Sequence, residues 1–291
     1  LTNDSVSIII PTYNRAHVLG RAIRSVFDQR YPHWELLVVD DGSTDATVSL
    51  VEGLDDPRVR YLPIEHSGVS AARNEGIRQA RHSWVTFLDS DDCWLPKKLE
   101  RELAELHRCP DYRVVYTNEV WIRRGVRANQ KNRHRKFSGW VFAKCLPLCI
   151  ISPSSVLLHR DVLVQCGTFD ESLPVCEDYD LWLRIAARFP VLFVDEPLIV
   201  KTGGHDDQLS RSLWGMDRYR LRALVRLYQS GWLTPAQRQA TALEIGEKAR
   251  ILETGFEKRG KPEEAAAYRR IWRDWSMLAG VSPTGSQSGG F

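Results

Sequence analysis

The sequence predicts an α/β fold in which a mostly parallel central sheet is covered by helices, with a helical extension at the C-terminal end. Three observations lead there. Short apolar runs alternate with helical patterns of ten to fourteen residues up to about residue 118, as in strands joined by helical crossovers. That alternation stops near Glu119, and from Gln208 onward the pattern is helical throughout. A chain of 291 residues is long enough to bury one large core or two modest ones.

The elements follow in order. VSIIIP (6–11) is the first strand, and residues 16–29 form a helix with apolar positions at 19, 23, 26 and 27. WELLVVDD (34–41) is the second strand, and Ser43 or Thr44 can cap the helix after it. RVRYLP (58–63) is a short third strand, residues 67–80 a helix, WVTFLD (84–89) a fourth strand, 96–107 a helix and YRVVYTN (112–118) a fifth strand. RRGVRANQKNRHRKF (123–137) is strongly basic without periodicity and reads as a mobile surface loop. Shorter elements are expected at 151–161 and 191–197, with a helix over 178–188 between them. Helices over 208–230, 235–258 and 262–278 complete the chain. The expected division is an α/β domain over 1–205, a helical extension over 206–280 and a disordered tail over 281–291.

Composition excludes several classes. The net charge of +3 is too small to imply a nucleic-acid partner. The basic run 123–136 lacks the aromatic residues of a stacking platform, so no nucleic acid is expected. Six cysteines, at 93, 109, 145, 149, 166 and 176, show no CxxC spacing and read as free thiols of a reducing compartment. No apolar run reaches the roughly eighteen residues of a membrane span. The start, LTNDSVSIIIPTYNR, opens on Leu and carries no basic segment before its apolar run, so it does not read as a secretion signal.

Ligands of open α/β sheets bind beyond the C-terminal ends of the strands. Two acidic groups stand at such ends, Asp40-Asp41 and Asp89-Asp91-Asp92. Carboxylates this close repel one another. VTFLDSDDCWLP (85–96) is therefore either a solvated turn or a site built around a cation. PTYNR stands where a dinucleotide fold would carry GxGxxG, and the chain has no P-loop motif. A phosphatase with an aspartyl nucleophile would need a phosphate-supporting lysine, and nothing in the sequence singles one out.

PTYNR (11–15), VVDDGSTD (38–45), GVSAARNEG (68–76) and FLDSDD (87–92), in this order and spacing, resemble the family-2 glycosyltransferases, whose nucleotide-sugar domain is the GT-A fold. The resemblance covers roughly residues 5–200. It implies an inverting enzyme that uses a nucleoside-diphosphate sugar, with UDP favoured, and Mn²⁺ or Mg²⁺. By the same resemblance Pro11, Thr12 and Tyr13 line the base and ribose, and Asp41 accepts the pyrimidine N–H with Asp40 as its neighbour. Asp89, Ser90 and Asp91 match the DxD motif, in which Asp91 holds the metal and Asp89 lies nearer the ribose. Arg73 orients Asp89, faces the diphosphate, or forms a structural ion pair. Breaking the sugar–diphosphate bond develops negative charge that a divalent cation on hard oxygen ligands would stabilise.

PVCEDYDLWLR (174–184) offers Glu177, Asp178 and Asp180 at a helix start, where the dipole favours the ionised form a base needs. Helix capping is the plainer use of such residues. The segment resembles the family's ED motif, which makes Asp178 the base and sets Glu177 on the acceptor side. KTGGHDDQLSR (201–211) supplies His205, a second metal ligand in relatives, after the flexible Gly203 and Gly204; Asp206 or Asp207 can cap the next helix. Trp140 and Ser154, in the ISPSS segment (151–155), fall where relatives form the acceptor side. Trp182 is a further sugar-stacking candidate, although an isolated tryptophan more often belongs to the core.

The expected acceptor is a glycan or lipid-linked molecule. Family analogy sets the protein in the cytoplasm at the inner face of a bacterial membrane. Tyr268, Trp272 and Trp275 form an aromatic stripe whose uses are core packing, self-association as a homo-oligomer, or peripheral membrane contact beside Arg269, Arg270 and Arg273. The rival functions are a metal-dependent nucleotidyltransferase and a non-catalytic nucleotide-sugar-binding protein of the same fold.

Overall fold

The computed structural model describes residues 4–129, 134–204 and 213–280. Among the described residues nine strands form one sheet: β1 (Val6–Thr12), β2 (Trp34–Asp40), β3 (Val59–Pro63), β4 (Trp84–Phe87), β5 (Cys93–Trp94), β6 (Val114–Arg123), β7 (Val126–Ala128), β8 (Val156–His159) and β9 (Leu192–Gly203). Their order is β3-β2-β1-β4-β8-β6-β9-β5, with β7 paired to β6.

The first four strands are parallel to their neighbours. The helices α1 (Ala16–Phe27), α2 (Thr47–Glu52) and α3 (Val69–Gln79) connect them. Beyond β4 the sheet is mixed, because β8 runs antiparallel to both β4 and β6 while β9 is parallel to β6. The expectation of a mostly parallel sheet therefore holds for its first half only. A parallel pair needs a crossover of a dozen or more residues, usually a helix. Among the described residues, the chain between β6 and β8 holds the short strand β7, the one-turn helix α5 (Phe142–Cys145) and a turn of 3₁₀ helix at Pro153–Ser155, with no long crossover helix.

Every residue of β1 and β2 is buried, as expected of strands covered on both faces. Ile8, Ile10, Leu36 and Val38 face Leu19, Ile23 and Val26 of α1 and Leu103 of α4 (Lys98–Arg108). The alternate residues, Ile9, Leu37 and Val39, face α3 and α7 (Glu177–Arg188). Gly76 lets α3 lie this close to the sheet. A Cβ at that position would stand 2.4 Å from Ile9 Cγ2.

Local chemistry moved several boundaries. Neither Ser43 nor Thr44 caps α2. Ser43 Oγ accepts the Asn14 N–H, Thr44 N–H donates to Asn14 Oδ1, and Asp45 Oδ1 receives the Thr47 N–H at the helix start. β4 stops at Phe87: Leu88 N–H donates to Ile9 O, and Asp89 leaves the ladder. The basic segment is not a loop along its whole length. β6 continues to Arg123 and turns through Arg124 (φ 50) and Gly125 (φ 75) into β7. Further on, Lys136 is buried, donating to Thr117 O and Glu119 Oε1, each at 2.8 Å. The short element expected over 191–197 is the twelve-residue β9. The element expected over 151–161 is a 3₁₀ turn, β8 and then α6 (Arg160–Cys166).

The C-terminal helices are α8 (Met216–Gln229), α9 (Pro235–Glu257) and α10 (Pro262–Leu278). Thr234 and Gln237 make a reciprocal capping box at the start of α9. The aromatic stripe of α10 packs within this helical layer. Tyr268 stacks on Phe256 at 5.3 Å, and Trp275 meets Tyr228 edge-on at 4.7 Å. Ala223, Leu224 and Leu227 join α8 to the core of the sheet. Among the described residues no helix is long and apolar enough to cross a membrane.

Candidate functional site

The C-terminal ends of β1, β2 and β4 open into a cavity of about 710 Å³, whose far wall is the start of α7. At one end, Asp41 N–H donates to Thr12 O, which fixes the turn after β2 against β1. The Asp41 carboxylate accepts Ser67 N–H at 2.7 Å and Gly68 N–H at 2.9 Å, and lies 2.9 Å from His66 Nδ1. A carboxylate has about four lone-pair directions, so one remains toward the cavity. Gly68 adopts φ 94 directly before α3, a left-handed conformation that favours glycine. The His66 ring stacks on Tyr13, with centroids 4.1 Å apart. Pro11, Thr12 and Tyr13 all line the cavity.

Asp40 does not. Its carboxylate is turned inward, accepting Ser43 N–H at 2.9 Å and Tyr61 O–H at 2.6 Å, and the residue is 1% exposed. The expectation that it helps bind the nucleotide is corrected on that ground: Asp40 is buried outside the cavity lining, bonded to the turn through Ser43 and to β3 through Tyr61.

The DSDD turn divides its carboxylates between two tasks. Asp92 is buried, accepting Ser154 O–H at 2.7 Å and Thr202 N–H at 3.0 Å. Burial raises its pKa well above the ordinary value, against the pull of Lys201. Asp89, Ser90, Asp91 and Asp92 all border the cavity, but the Asp89 and Asp91 side chains are partly exposed to it while Asp92 is buried behind them. Arg15 Nη1 approaches Asp91 Oδ2 at 3.3 Å, and Arg21 Nη2 donates to Asp91 O at 2.9 Å. The turn is only partly solvated, with the Asp89 and Asp91 side chains 25% and 18% exposed. Ser154 is also corrected. It is fully buried outside the cavity lining, accepts Asp89 N–H at 3.1 Å and braces the turn from behind.

Arg73 joins the two walls. Its Nη2 donates to Asp89 Oδ1 at 2.8 Å and its Nη1 to Glu177 Oε1 at 2.7 Å. Burial opposes the guanidinium charge, but Asp89 and Glu177 outweigh burial and raise its pKa. Glu177 is itself buried, which pushes its carboxyl up to about 7 even though Arg73 pulls it down. Cys176, just before it, has φ 64, a strained conformation for a non-glycine residue beside a functional wall.

Of the three acids that open α7, Glu177 is paired to Arg73 and Asp180 to Arg184 at 2.7 Å. Asp178 makes no ion pair among the described residues and lines the cavity. Its Oδ1 accepts Tyr179 N–H at 2.7 Å, and its Oδ2 lies 3.4 Å from Cys149 Sγ. Burial, and then Asp178, push the Cys149 thiol well above its usual range, so it stays protonated beside the carboxylate. Trp182 is 1% exposed within the core, which removes the sugar-stacking reading. Trp140 is 68% exposed and is not part of the cavity wall. His205, Asp206 and Asp207 lie outside the described residues.

Several lining residues carried no assignment from sequence. Arg15 belongs to PTYNR and Lys201 opens KTGGH, so each sat inside a quoted motif without a role. Met216 and Arg220 reach the wall from α8, a helix with no local mark of function. Among the described residues no three His, Cys, Asp or Glu side chains converge as a preformed metal cage. Asp89 and Asp91 still offer hard carboxylate oxygens to one cavity, and Mg²⁺ is commonly held by one or two carboxylates plus substrate phosphates.

Comparison with known proteins places the chain in a family and supports its fold. The family model described as glycosyl transferase family 2 matches residues 7–167, more than half of the chain. An Escherichia coli protein, the UDP-Glc:alpha-D-GlcNAc-diphosphoundecaprenol beta-1,3-glucosyltransferase WfgD, is 35% identical over 181 residues, covering 62% of this chain and 69% of that one. An uncharacterized glycosyltransferase of Rickettsia conorii is 32% identical over 219 residues, which are 72% of this chain but only 35% of the longer relative. Among solved structures, S. aureus TarS superposes with a TM-score of 0.72 at 20% identity, covering 94% of this chain and 49% of that one. A shorter TarS, residues 1–349 in complex with UDP-GlcNAc, superposes with a TM-score of 0.66 at 16% identity, over 95% of this chain and 92% of that one. Both structural matches speak for the fold.

Proposed function

The chain belongs to glycosyl transferase family 2, and from that premise we propose that it moves a sugar from a nucleoside-diphosphate sugar to a hydroxyl of a glycan or lipid-linked acceptor, inverting the anomeric centre by direct displacement. One observation carries this reading. A single cavity holds the Asp89–Asp91 pair on one wall and Asp178, the only acid of the α7 start without an ion pair among the described residues, on the other.

In this reading Tyr13 and His66 flank the base, and the free acceptor direction of Asp41 takes a pyrimidine N–H. UDP is therefore the favoured nucleotide, in keeping with the donor named for the E. coli relative. Asp178 withdraws the proton from the acceptor hydroxyl as its oxygen attacks the anomeric carbon. The bond to the diphosphate breaks with its electron pair on the departing oxygen. Arg73 holds Asp89 and Glu177 in place, and its partnership with Glu177 leaves Asp178 as the available base. Mn²⁺ or Mg²⁺ held by Asp91 and Asp89 would neutralise charge on the leaving diphosphate. The GT-A domain is assigned to 1–205 and the C-terminal extension to 206–280, whose Met216 and Arg220, on α8 at the cavity lining, suit the acceptor side. The exposed arginines 123, 124 and 127 on the β6–β7 hairpin suit a phosphate-bearing acceptor.

The test is a panel of UDP-, GDP- and dTDP-sugars with Mn²⁺, read by thermal shift and by the nucleotide released. Release of nucleoside diphosphate is expected, whereas pyrophosphate would make the protein a nucleotidyltransferase. Asp178→Asn should keep donor affinity and lower kcat by about 10²- to 10⁴-fold. Lost donor binding with intact kcat would remove Asp178 from catalysis.

A further inference from the structure

Lys201 is a cation of this cavity that the reaction scheme above does not use. It lies on β9 opposite Trp121 of β6. The next residue, Thr202, gives its N–H to Asp92, so the strand is tied to the DSDD turn at this point. The side chain is partly exposed and lines the cavity.

Its surroundings set it apart from the arginines there. Arg15 reaches Asp91, Arg73 is shared by Asp89 and Glu177, and Arg220 donates to Asp217 at 3.0 Å. Among the described residues the Lys201 ammonium has no hydrogen bond or ion pair, although it stands in the field of Glu119, Asp92, Asp89 and Asp178. Burial works against its charge, and those carboxylates outweigh burial and raise its pKa. A lysine has three N–H donors and no acceptor. An ammonium kept charged by surrounding acids, yet bonded to none, has donors to offer a ligand that brings its own anionic oxygens.

We propose that Lys201 binds the diphosphate of the donor and of the released nucleoside diphosphate, as a resident cation on the leaving-group side of the site. The location favours that ligand. Lys201 faces the same turn that presents Asp89 and Asp91, and a diphosphate entering there adds negative charge to a wall already rich in carboxylates. Lys201 supplies fixed positive charge at that wall, independent of any ion that arrives with the donor. A compact ammonium suits a phosphate oxygen as a point charge. The inference rests on reading the cavity as a nucleotide-sugar site.

The experiment compares UDP with uridine by calorimetry, on the full chain and on Lys201→Met, in EDTA and in Mn²⁺. Uridine lacks the diphosphate, so its affinity should not change between the two proteins. The preference for UDP over uridine in EDTA should fall by about tenfold or more in Lys201→Met, the expected loss of a charge-assisted contact. Lys201→Gln gives the same reading should the methionine variant fail to fold. An unchanged preference in either folded variant overturns the proposal, as does an equal loss for uridine and UDP, which would mark Lys201 as a structural counter-charge. Failure of the unaltered chain to bind any nucleoside diphosphate would instead overturn the nucleotide-sugar reading itself.

Discussion

Replacing Glu119 by Gln should remove a pH-dependent share of the stability that lies directly behind the active cavity. Glu119 is 8% exposed. Its Oε1 accepts Lys136 Nζ at 2.8 Å and Ser152 O–H at 2.6 Å, and its Oε2 accepts Trp121 Nε1–H at 2.6 Å. Burial alone would raise its pKa, but Lys136 and Lys201 outweigh burial and hold the carboxyl at about 2, against an ordinary 4.5. At ~1.4 kcal/mol per pKa unit, that gap corresponds to about 3 kcal/mol. The folded-state pKa is depressed, so the contribution is fully present above about pH 4.5 and is lost as pH falls toward about 2. Gln keeps the shape but loses the anion, and it leaves Lys136 buried without its counter-charge. Urea unfolding of the unaltered chain and of Glu119→Gln, at a series of pH values, isolates this group, because the other carboxylates titrate equally in both. The difference should be about 3 kcal/mol at neutral pH and should shrink toward zero only near pH 2 and below. A difference that stays the same at both ends would refute the electrostatic account and leave only a packing effect.

Asp91→Asn should weaken UDP binding about tenfold or more in Mn²⁺, with UDP binding in EDTA near that of the unaltered chain. Equal Mn²⁺ enhancement of UDP binding in both proteins, measured by calorimetry, would take Asp91 out of the metal site. Gly76→Ala should lower stability by about 1–3 kcal/mol, because its Cβ meets Ile9 Cγ2 at 2.4 Å and α3 must lift from β1. The corresponding drop in melting temperature is roughly 2–10 °C, and an unaltered Tm would show that the helix moves without cost.

Much of the site is legible in the chain because its chemistry is local. Strands that end in carboxylates, a PTYNR turn and an ED pair at a helix start are short segments. Backbone periodicity alone puts their ends on one side of a sheet. The parallel half of that sheet was readable for the same reason: each strand is followed by a helix long enough to carry the chain back. Where the chain lost that alternation, after Glu119, pattern alone did not show that β8 would run antiparallel or that β6 and β9 would extend so far.

Which member of each acidic group faces the cavity was decided by tertiary structure. Asp40 and Asp41 are adjacent in the chain, yet Tyr61 and Ser43 draw one inward while the 67–68 turn holds the other at the wall. Ser154, distant in sequence, ties down the buried Asp92, while Asp89 and Asp91 keep partly exposed carboxylates at the same cavity. Arg73 occupies Glu177 across 104 positions of chain and so leaves its neighbour Asp178 available. Residue type and spacing determined that carboxylates would gather here. Long-range hydrogen bonds and burial, whose energies depend on partners far apart in the chain, determined which of them could act.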